Sequence, residues 1–190
     1  MAESLKRKPG GRSVNIETER LVITEFSPEM ARAVHENSLD EDNRRFVPDE
    51  VFETEEEAAE TIRFLMAQYG RTEGPLVYPV LTREGGENVG YVQLVSLGDG
   101  RWEIGYHIGK RYTGRGYATE AVRAFLPVAA DMAGVGEIQG VCLKDNAASR
   151  RVLSKCGFEK SFEGLDEYQG ERREIFRGVW RKEDRTEEPK

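Results

Sequence analysis

The segment whose residue types best suit ligand chemistry is KRYTGRGYATEA, residues 110–121. It holds glycines at 114 and 116 and arginines at 111 and 115, between an extended run and a helical pattern. The first backbone N–H groups of a helix have no partner inside it, and glycine has no Cβ to block access to them. With the helix dipole and the arginines, this arrangement predicts a cradle for a pyrophosphate group. The alternative is a glycine-rich turn with solvated arginines.

Two common nucleotide-binding motifs fit this segment poorly. A Walker A loop requires Gly-Lys-Ser/Thr after its spacer residues, and no such lysine follows these glycines. A dinucleotide-binding fingerprint requires a small residue where the chain has Thr119, and it normally opens a parallel βαβ domain. The loop alone therefore leaves the phosphate-bearing ligand open.

Length and composition define the class of protein. A chain of 190 residues, 38% hydrophobic and 33% charged, predicts one globular domain with a sizeable core. The net charge of −7 argues against nucleic-acid binding, and no apolar run approaches the roughly 20 residues that cross a membrane. Cys142 and Cys156 lack metal-ligand spacing, which favours reduced thiols in the cytoplasm and no metal site.

Apolar periodicity and turn signals predict the elements that position the glycine loop. In chain order we expect a strand over 19–26, a helix over 28–39, a loop over 40–52, a helix over 54–68, strands over 75–83, 89–97 and 101–109, a helix from about 117, a strand over 137–143, a helix between Asn146 and Gly157, and a hairpin around Gly170. Thr54 with Glu57 forms a predicted capping box, and Asn146 a predicted N-cap. Short glycine-rich turns between the central strands argue for an antiparallel meander.

This series predicts an α+β fold with a mixed sheet. We expect a flexible N-terminal arm over 1–16, a single domain over 17–181 and a disordered tail over 182–190, because both ends of the chain are strongly polar.

Three segments resemble one known family. YHIGKRYTGRGYATEA, residues 106–121, resembles the acyl-CoA-binding segment of the GNAT superfamily of N-acetyltransferases, in the branch of the RimJ/RimL-type ribosomal-protein N-terminal acetyltransferases. DNAASRRVLSKCGFE, residues 145–159, resembles the second motif of that branch, and ETERLVITEF, residues 17–26, its opening strand. The resemblance implies a GNAT-type, mostly antiparallel sheet flanked by helices. It also implies an acyl-CoA cleft between strands that splay near Gly109 and Leu143.

The resemblance also implies the residues that hold acetyl-CoA. Pantetheine would run along the strand that ends at Gly109, and the pyrophosphate would rest on the amides of 114–118. The implied binding residues are Tyr106, His107, Ile108, Gly109, Arg111, Thr113, Gly114, Arg115, Gly116, Tyr117, Ala118, Asn146 and Ser149. Many relatives carry Arg or Gln where this chain has Thr113. Asn146 and Ser149 have a second interpretation, because both lie at a helix start and serve capping equally well.

The catalytic residues are implied by the same family pattern. Along RWEIGYHIG, residues 101–109, the alternation of a strand puts Glu103 and His107 on one face. Glu103 resembles the glutamate that removes a proton from the amine through water, with His107 or a merely solvated glutamate as alternatives. Tyr168 is the candidate acid for the departing thiolate, and Ser149 is expected to meet the thiol. A backbone N–H at 108 or 109 would face the oxyanion.

The function implied is acetyl-CoA-dependent N-acetylation of the α-amine of a protein or peptide, by direct attack on the thioester. A small-molecule amine, such as an antibiotic, polyamine or amino acid, is the alternative acceptor. A catalytically silent acyl-CoA-binding module is the alternative class. We expect a monomer or homodimer with acetyl-CoA and an amine as partners, and no nucleic acid, membrane or metal.

Overall fold

An eight-stranded sheet organises the part of the chain that the computed structural model describes, residues 13–71 and 74–182. The strands are β1 (Ile16–Glu17), β2 (Leu21–Ile23), β3 (Leu76–Thr82), β4 (Asn88–Gly98), β5 (Arg101–Ile108), β6 (Glu137–Leu143), β7 (Glu159–Tyr168) and β8 (Glu171–Arg181). Their order in the sheet is β1-β2-β3-β4-β5-β6-β8-β7. Neighbouring strands are antiparallel except β5 and β6, which are parallel. This confirms the predicted α+β, mostly antiparallel sheet.

Five α-helices accompany the sheet within the described residues. They are α1 (Ala31–Ser38), α2 (Glu41–Phe46), α3 (Glu55–Met66), α4 (Tyr117–Ala133) and α5 (Ala147–Lys155). Two predicted caps are present: Thr54 accepts a hydrogen bond from the N–H of Glu57 at 3.2 Å, and Asn146 accepts one from Ser149 at 3.0 Å. The predicted capping box differs in one bond. The Glu57 carboxylate accepts from the N–H of Glu53 and not from the N–H of the N-cap residue, Thr54.

The helices cover the two faces of the sheet unequally. The larger core lies under α4 and α5, where Val122, Phe125 and Leu153 are almost fully buried. A smaller cluster packs α1 and α3 against the other face around Ile62 and Val77. On that second face, Asp40 at the N-cap of α2 lies 3.8 Å from His107 of β5.

The single parallel pair produces the gap that the family pattern implies. β5 and β6 pair only at Glu103 with Gln139 and at Ile104 with Gly140, and beyond these positions the strands diverge. β5 stays paired with β4 up to Gly109, whose N–H donates to the carbonyl of Val89 at 2.9 Å. Hydrogen-bonding residues alternate along an antiparallel ladder. The backbone groups of 106 and 108 therefore point away from β4, into the gap.

The structure differs from the sequence-based expectation at three places. The predicted loop 40–52 contains α2 and a 3₁₀ turn at Pro48–Glu50, because Asp40 caps a helix that only a short polar segment builds. The predicted helix over 28–39 begins as a 3₁₀ turn at Pro28–Met30. The strand β1 was not anticipated, since two residues carry no periodic signal.

Both chain ends of the predicted organisation lie largely outside the described residues. Residues 1–12 of the predicted arm and residues 183–190 of the predicted tail lie outside the described part of the chain. The described fold begins before residue 17, because Val14 is buried in the core and Ile16 pairs with Ile23. No helix of the described part is long and apolar enough to span a membrane.

Candidate active site

A cleft of about 610 Å³ opens where β5 and β6 part. One end is lined by the glycine loop and the start of α4, and the other by α2, the Pro48–Glu50 turn and the face of β5 that carries Glu103. We call these the donor end and the acceptor end. The β6–α5 connection, which includes Asn146 and Ser149, lines the wall between them. The fold thus joins the two sequence motifs in one cavity.

The glycine loop has the backbone conformation that only glycine adopts without strain. Gly114 and Gly116 have φ angles of +76° and +82°, and no atom lies within 4 Å of a Cβ built on Gly114. The first helical bond runs from the N–H of Glu120 to the carbonyl of Gly116, so the preceding N–H groups have no helical acceptor. Thr113, Gly114, Gly116, Tyr117 and Ala118 all line the cleft. Open space and free donors are what a diphosphate cradle needs.

Glu120 anchors this loop to the opening hairpin, a role that the sequence did not reveal. One carboxylate oxygen accepts from the hydroxyl of Thr18 at 2.6 Å and from the N–H of Arg20 at 2.9 Å. The guanidinium of Arg20 donates to the other oxygen at 2.7 Å and to the carbonyl of Arg115 at 2.9 Å. The partners are about a hundred residues apart in sequence, so no local pattern predicts them. Thr18 and Arg20 thus fix the glycine loop and the start of α4 to the first hairpin of the sheet.

Three of the implied donor-site residues are not among the residues that line the cleft. Arg111 and Arg115 do not line it, and Arg111 lies 3.7 Å from the carboxylate of Glu36 on α1. Gly109 does not line it either, and a Cβ there would come within 2.6 Å of the Asn37 side chain. Its N–H is already bound to a β4 carbonyl. Of the two backbone N–H groups proposed to face the oxyanion, those of 108 and 109, only the N–H of Ile108 therefore remains a candidate.

Two basic residues that the sequence analysis missed line the donor end. Arg151 and Lys155 lie one turn apart on α5 and face the cavity. Neither side chain has an ion-pair partner among the residues that the structure describes. Their spacing of four residues on the predicted helix within the second motif was the signal that could have identified them. They offer positive charge for the phosphates of a nucleotide-bearing ligand.

Ser149 lies at a polar junction in the middle of the cleft. Its Oγ is 2.8 Å from the hydroxyl of Tyr106, which also donates to the Ser149 carbonyl at 3.1 Å. Burial raises the pKa of Tyr106 above its usual range, so the phenol stays protonated. Burial also raises the pKa of the neighbouring thiol of Cys142, which keeps that thiol protonated. Tyr106, Ser149 and Cys142 thus form a neutral, hydrogen-bonding wall.

Glu103 lines the acceptor end with the chemistry of a general base. It lies on the face of β5 opposite the buried side chains of Trp102 and Ile104. Burial raises the pKa of Glu103 to about 7, against the opposing charge of Arg177. A carboxylate with this pKa both holds and releases a proton near neutral pH.

Tyr168 and His107 complete the acceptor end. Tyr168 ends β7 and lines the cleft, and burial raises its pKa to about 12, so it is a proton donor at neutral pH. His107 lies with its Nε2 3.8 Å from Asp40 Oδ2 and its ring against that of Tyr91. His107 beside Asp40 holds the pKa of that carboxyl below its usual range. The histidine is therefore already engaged by α2.

The fold and sequence both match known acetyltransferases. Residues 20–159 match the family model described as an acetyltransferase (GNAT) domain. The chain is similar to the N-acetyltransferase YnaD of Bacillus subtilis, with 28% identity over 148 residues that make up 77% of this chain and 84% of that protein. It is also similar to the solved GNAT-family acetyltransferase of Bacillus anthracis, with 26% identity and a TM-score of 0.75 over 88% of this chain and 98% of that one.

A more distant structure shares the fold. RimL, the ribosomal L7/L12 alpha-N-protein acetyltransferase solved in complex with coenzyme A, has 17% identity and a TM-score of 0.74 over 88% of this chain and 98% of its own. Because the family model spans most of the chain and both of its ligand-facing motifs, this protein belongs to the GNAT family of N-acetyltransferases.

Proposed function

We propose that this N-acetyltransferase transfers the acetyl group of acetyl-CoA to the α-amine of a protein or peptide, with Glu103 as the base. The observation that carries the proposal is a half-buried carboxylate with a pKa of about 7, on the wall of a cleft whose other end is a glycine cradle. The peptide acceptor is supported by the shared fold with RimL. A catalytically silent acyl-CoA-binding module is the alternative, and the presence of Glu103 in the cleft argues against it.

The donor end suits acetyl-CoA, which supplies an activated thioester. The amides of 114–118 would hold the diphosphate, and Arg151 and Lys155 would add positive charge beside it. The backbone groups of Tyr106 and Ile108 point into the gap between β5 and β6, where they could pair with the amides of pantetheine as a strand edge does.

The transfer requires a neutral amine. An α-ammonium has a pKa of about 8, so Glu103 would take its proton, directly or through water, before attack. The nitrogen then forms a bond to the thioester carbonyl carbon, the carbon–sulfur bond breaks, and the nitrogen releases its second proton to water as the amide forms. The N–H of Ile108 would stabilise the oxyanion, and the thiolate would take a proton from Tyr168 or from the Ser149–Tyr106 pair.

The cellular location and the oligomeric state of the enzyme stay predictions. Both cysteines are free and buried, which suits the reducing cytoplasm that we propose. We keep the monomer or homodimer expectation unchanged.

The direct test is a screen of amines and N-terminal peptides with acetyl-CoA, with free thiol as the readout. We expect thiol release that depends on the acceptor, with mass spectrometry placing a single acetyl group on its α-amine. Acetylation of small amines alone would replace the peptide by the alternative acceptor class. An enzyme that binds acetyl-CoA but acetylates nothing would favour the silent module.

Two neighbouring variants separate ligand contact from helix capping at the start of α5. Ser149→Ala removes the hydroxyl that meets Tyr106, so we expect turnover to fall roughly tenfold with little change in melting temperature. Asn146→Ala removes the cap and should lower the free energy of unfolding by about 1 kcal/mol as well. Thiol-release kinetics and thermal melts measure both. A Ser149→Ala enzyme with unchanged rate and acetyl-CoA affinity would rule out its catalytic role.

A further inference from the structure

Glu50 has an incomplete set of hydrogen bonds in the acceptor end. It ends the 3₁₀ turn after α2 and lines the cleft. Its Oε1 accepts from the side chain of Gln93 at 3.3 Å, but its buried Oε2 has no hydrogen-bond partner among the described residues. Burial raises the pKa of this carboxyl. A buried carboxylate oxygen without a donor is unfavourable unless a ligand or water supplies one.

The sheet beneath Glu50 is shaped to hold it in this position. Gln93 on β4 stands opposite Gly105 on β5. A Cβ on Gly105 would lie 2.4 Å from Nε2 of Gln93, so a bare glycine is what lets the amide reach Glu50. Glu103 stands two residues before Gly105 on the same face of β5. The two carboxylates thus share one chamber.

The basic side chains around the chamber are already paired with other acids. Their pairs are Arg44 with Glu53, Arg45 with Asp145, Lys110 with Asp42, His107 with Asp40, and Arg177 with Asp166. In residues 13–71 and 74–182, no ion pair involves Glu50 or Glu103. Neither carboxylate therefore has a cation of the described residues within ion-pair distance, and a cationic acceptor would balance the ionised form of both.

We propose that Glu50 selects the acceptor, by binding a second cationic group that lies beside the amine to be acetylated. The acceptor is then a dication, either a diamine or a peptide with a basic side chain close to its N-terminus. One ammonium meets Glu103 and is deprotonated, and the other completes the hydrogen bonds of Glu50. This inference rests on the proposed function for the location of the reacting amine.

A monoamine would leave the Oε2 atom of Glu50 without a hydrogen-bond donor. The reacting nitrogen can satisfy only the base, because it must become neutral and approach the thioester. A second ammonium gains a charge-assisted hydrogen bond to a carboxylate whose geometry is already set by Gln93. The resulting preference is a difference between two acceptors of equal length, which makes it measurable.

The test compares n-butylamine with putrescine, and Ala-norleucine amide with Ala-Lys amide, at saturating acetyl-CoA. Each pair has the same carbon chain and differs only in the terminal ammonium. We expect the wild-type enzyme to favour the dicationic member of at least one pair, and Glu50→Gln to lower its kcat/KM by roughly 10- to 100-fold. The monocationic member should change little. The pair that shows the effect tells a diamine from a peptide. Asp49→Asn is the matched control, because it removes the same charge from the exposed neighbouring position.

A second variant and a binding measurement test separately the position of Glu50 and the binding of the acceptor. Gly105→Ala keeps every charge but displaces Gln93, and it should weaken the same preference. Calorimetry of the enzyme–CoA complex with putrescine and with Ala-Lys amide reports acceptor binding without chemistry. Dication binding that depends on Glu50 in an enzyme that acetylates nothing would reject the proposed function and keep this inference. Equal losses for both members of each pair, no loss, or no preference in the wild type would overturn the inference.

Discussion

Gly116→Glu is expected to weaken acetyl-CoA binding by roughly 100-fold or more, because it places a carboxylate among the amides that would hold the diphosphate. Gly116 stands at the N-cap of α4 with its neighbouring N–H groups free. A Cβ at this position would lie 3.5 Å from Nη2 of Arg20, so the glutamate would both disturb the contact that anchors the loop and repel the negative charge of the diphosphate. The same carboxylate is favourable for the helix dipole, so the charge itself should not unfold the protein.

Gly116→Gln is the matched control for this variant. Gly116 has a φ of +82°, so any side chain introduces strain of about 1–3 kcal/mol, and the glutamine carries that strain and bulk without the charge. We expect it to weaken binding by roughly tenfold. Calorimetry gives the affinities and far-UV circular dichroism checks the fold. Equal, small effects of both variants would show that the loop is only a turn.

The sequence was most informative where function depends on local backbone. The glycines at 114 and 116 and the following helix predict the cradle, because positive φ angles and a helix start are local properties. The strand over 137–143 is found as β6 without any shift, since it is a continuous β-rich run between turn signals. The gap between the strands that end near Gly109 and Leu143 was implied by the family resemblance and not by periodicity, and the parallel pairing of β5 with β6 is seen only in the structure.

The sequence was least informative at the acceptor end. The helix α2 has six residues and one capping side chain, too little for periodicity to detect. Glu50 looked like one of several acids in a polar loop, and only its contact with Gln93, 43 positions away, distinguishes it. The Glu120–Arg20 anchor and the placement of Arg111 toward α1 are likewise tertiary. Such contacts form between residues that are far apart in sequence, so a single sequence does not show which residues make them.

The acid–base character of Glu103 also has a consequence for stability. Burial raises its folded-state pKa from 4.5 to about 7, so between these values the native state binds more protons than the unfolded state. Its contribution to stability is therefore complete below the lower value and is lost as pH rises through about 7. Glu103→Gln removes this dependence and should be at least as stable as the wild type at higher pH, so a loss of activity cannot be assigned to unfolding.

Glu103→Gln is expected to lower turnover by roughly 10²–10⁴-fold while leaving acetyl-CoA affinity nearly unchanged. The amide keeps the shape of the side chain but cannot accept the proton of the incoming ammonium. In the wild type, kcat/KM should rise as pH passes about 7, because the carboxylate form of Glu103 then becomes dominant. The variant should lack this step and recover part of its rate only as the acceptor amine itself loses its proton.

The pH profile distinguishes Glu103 from the other candidate base. We would measure thiol release from about pH 6 to about pH 9 at saturating acetyl-CoA with the acceptor concentration varied, which gives kcat/KM for the acceptor at each pH. His107→Gln is the control: it removes the imidazole that lies beside Asp40, and under this mechanism it should preserve the step near pH 7. If the step instead survives in Glu103→Gln and disappears in His107→Gln, the histidine is the base. If Glu103→Gln keeps wild-type turnover throughout, Glu103 is a solvated strand residue and the proton is removed by His107 or by bulk water.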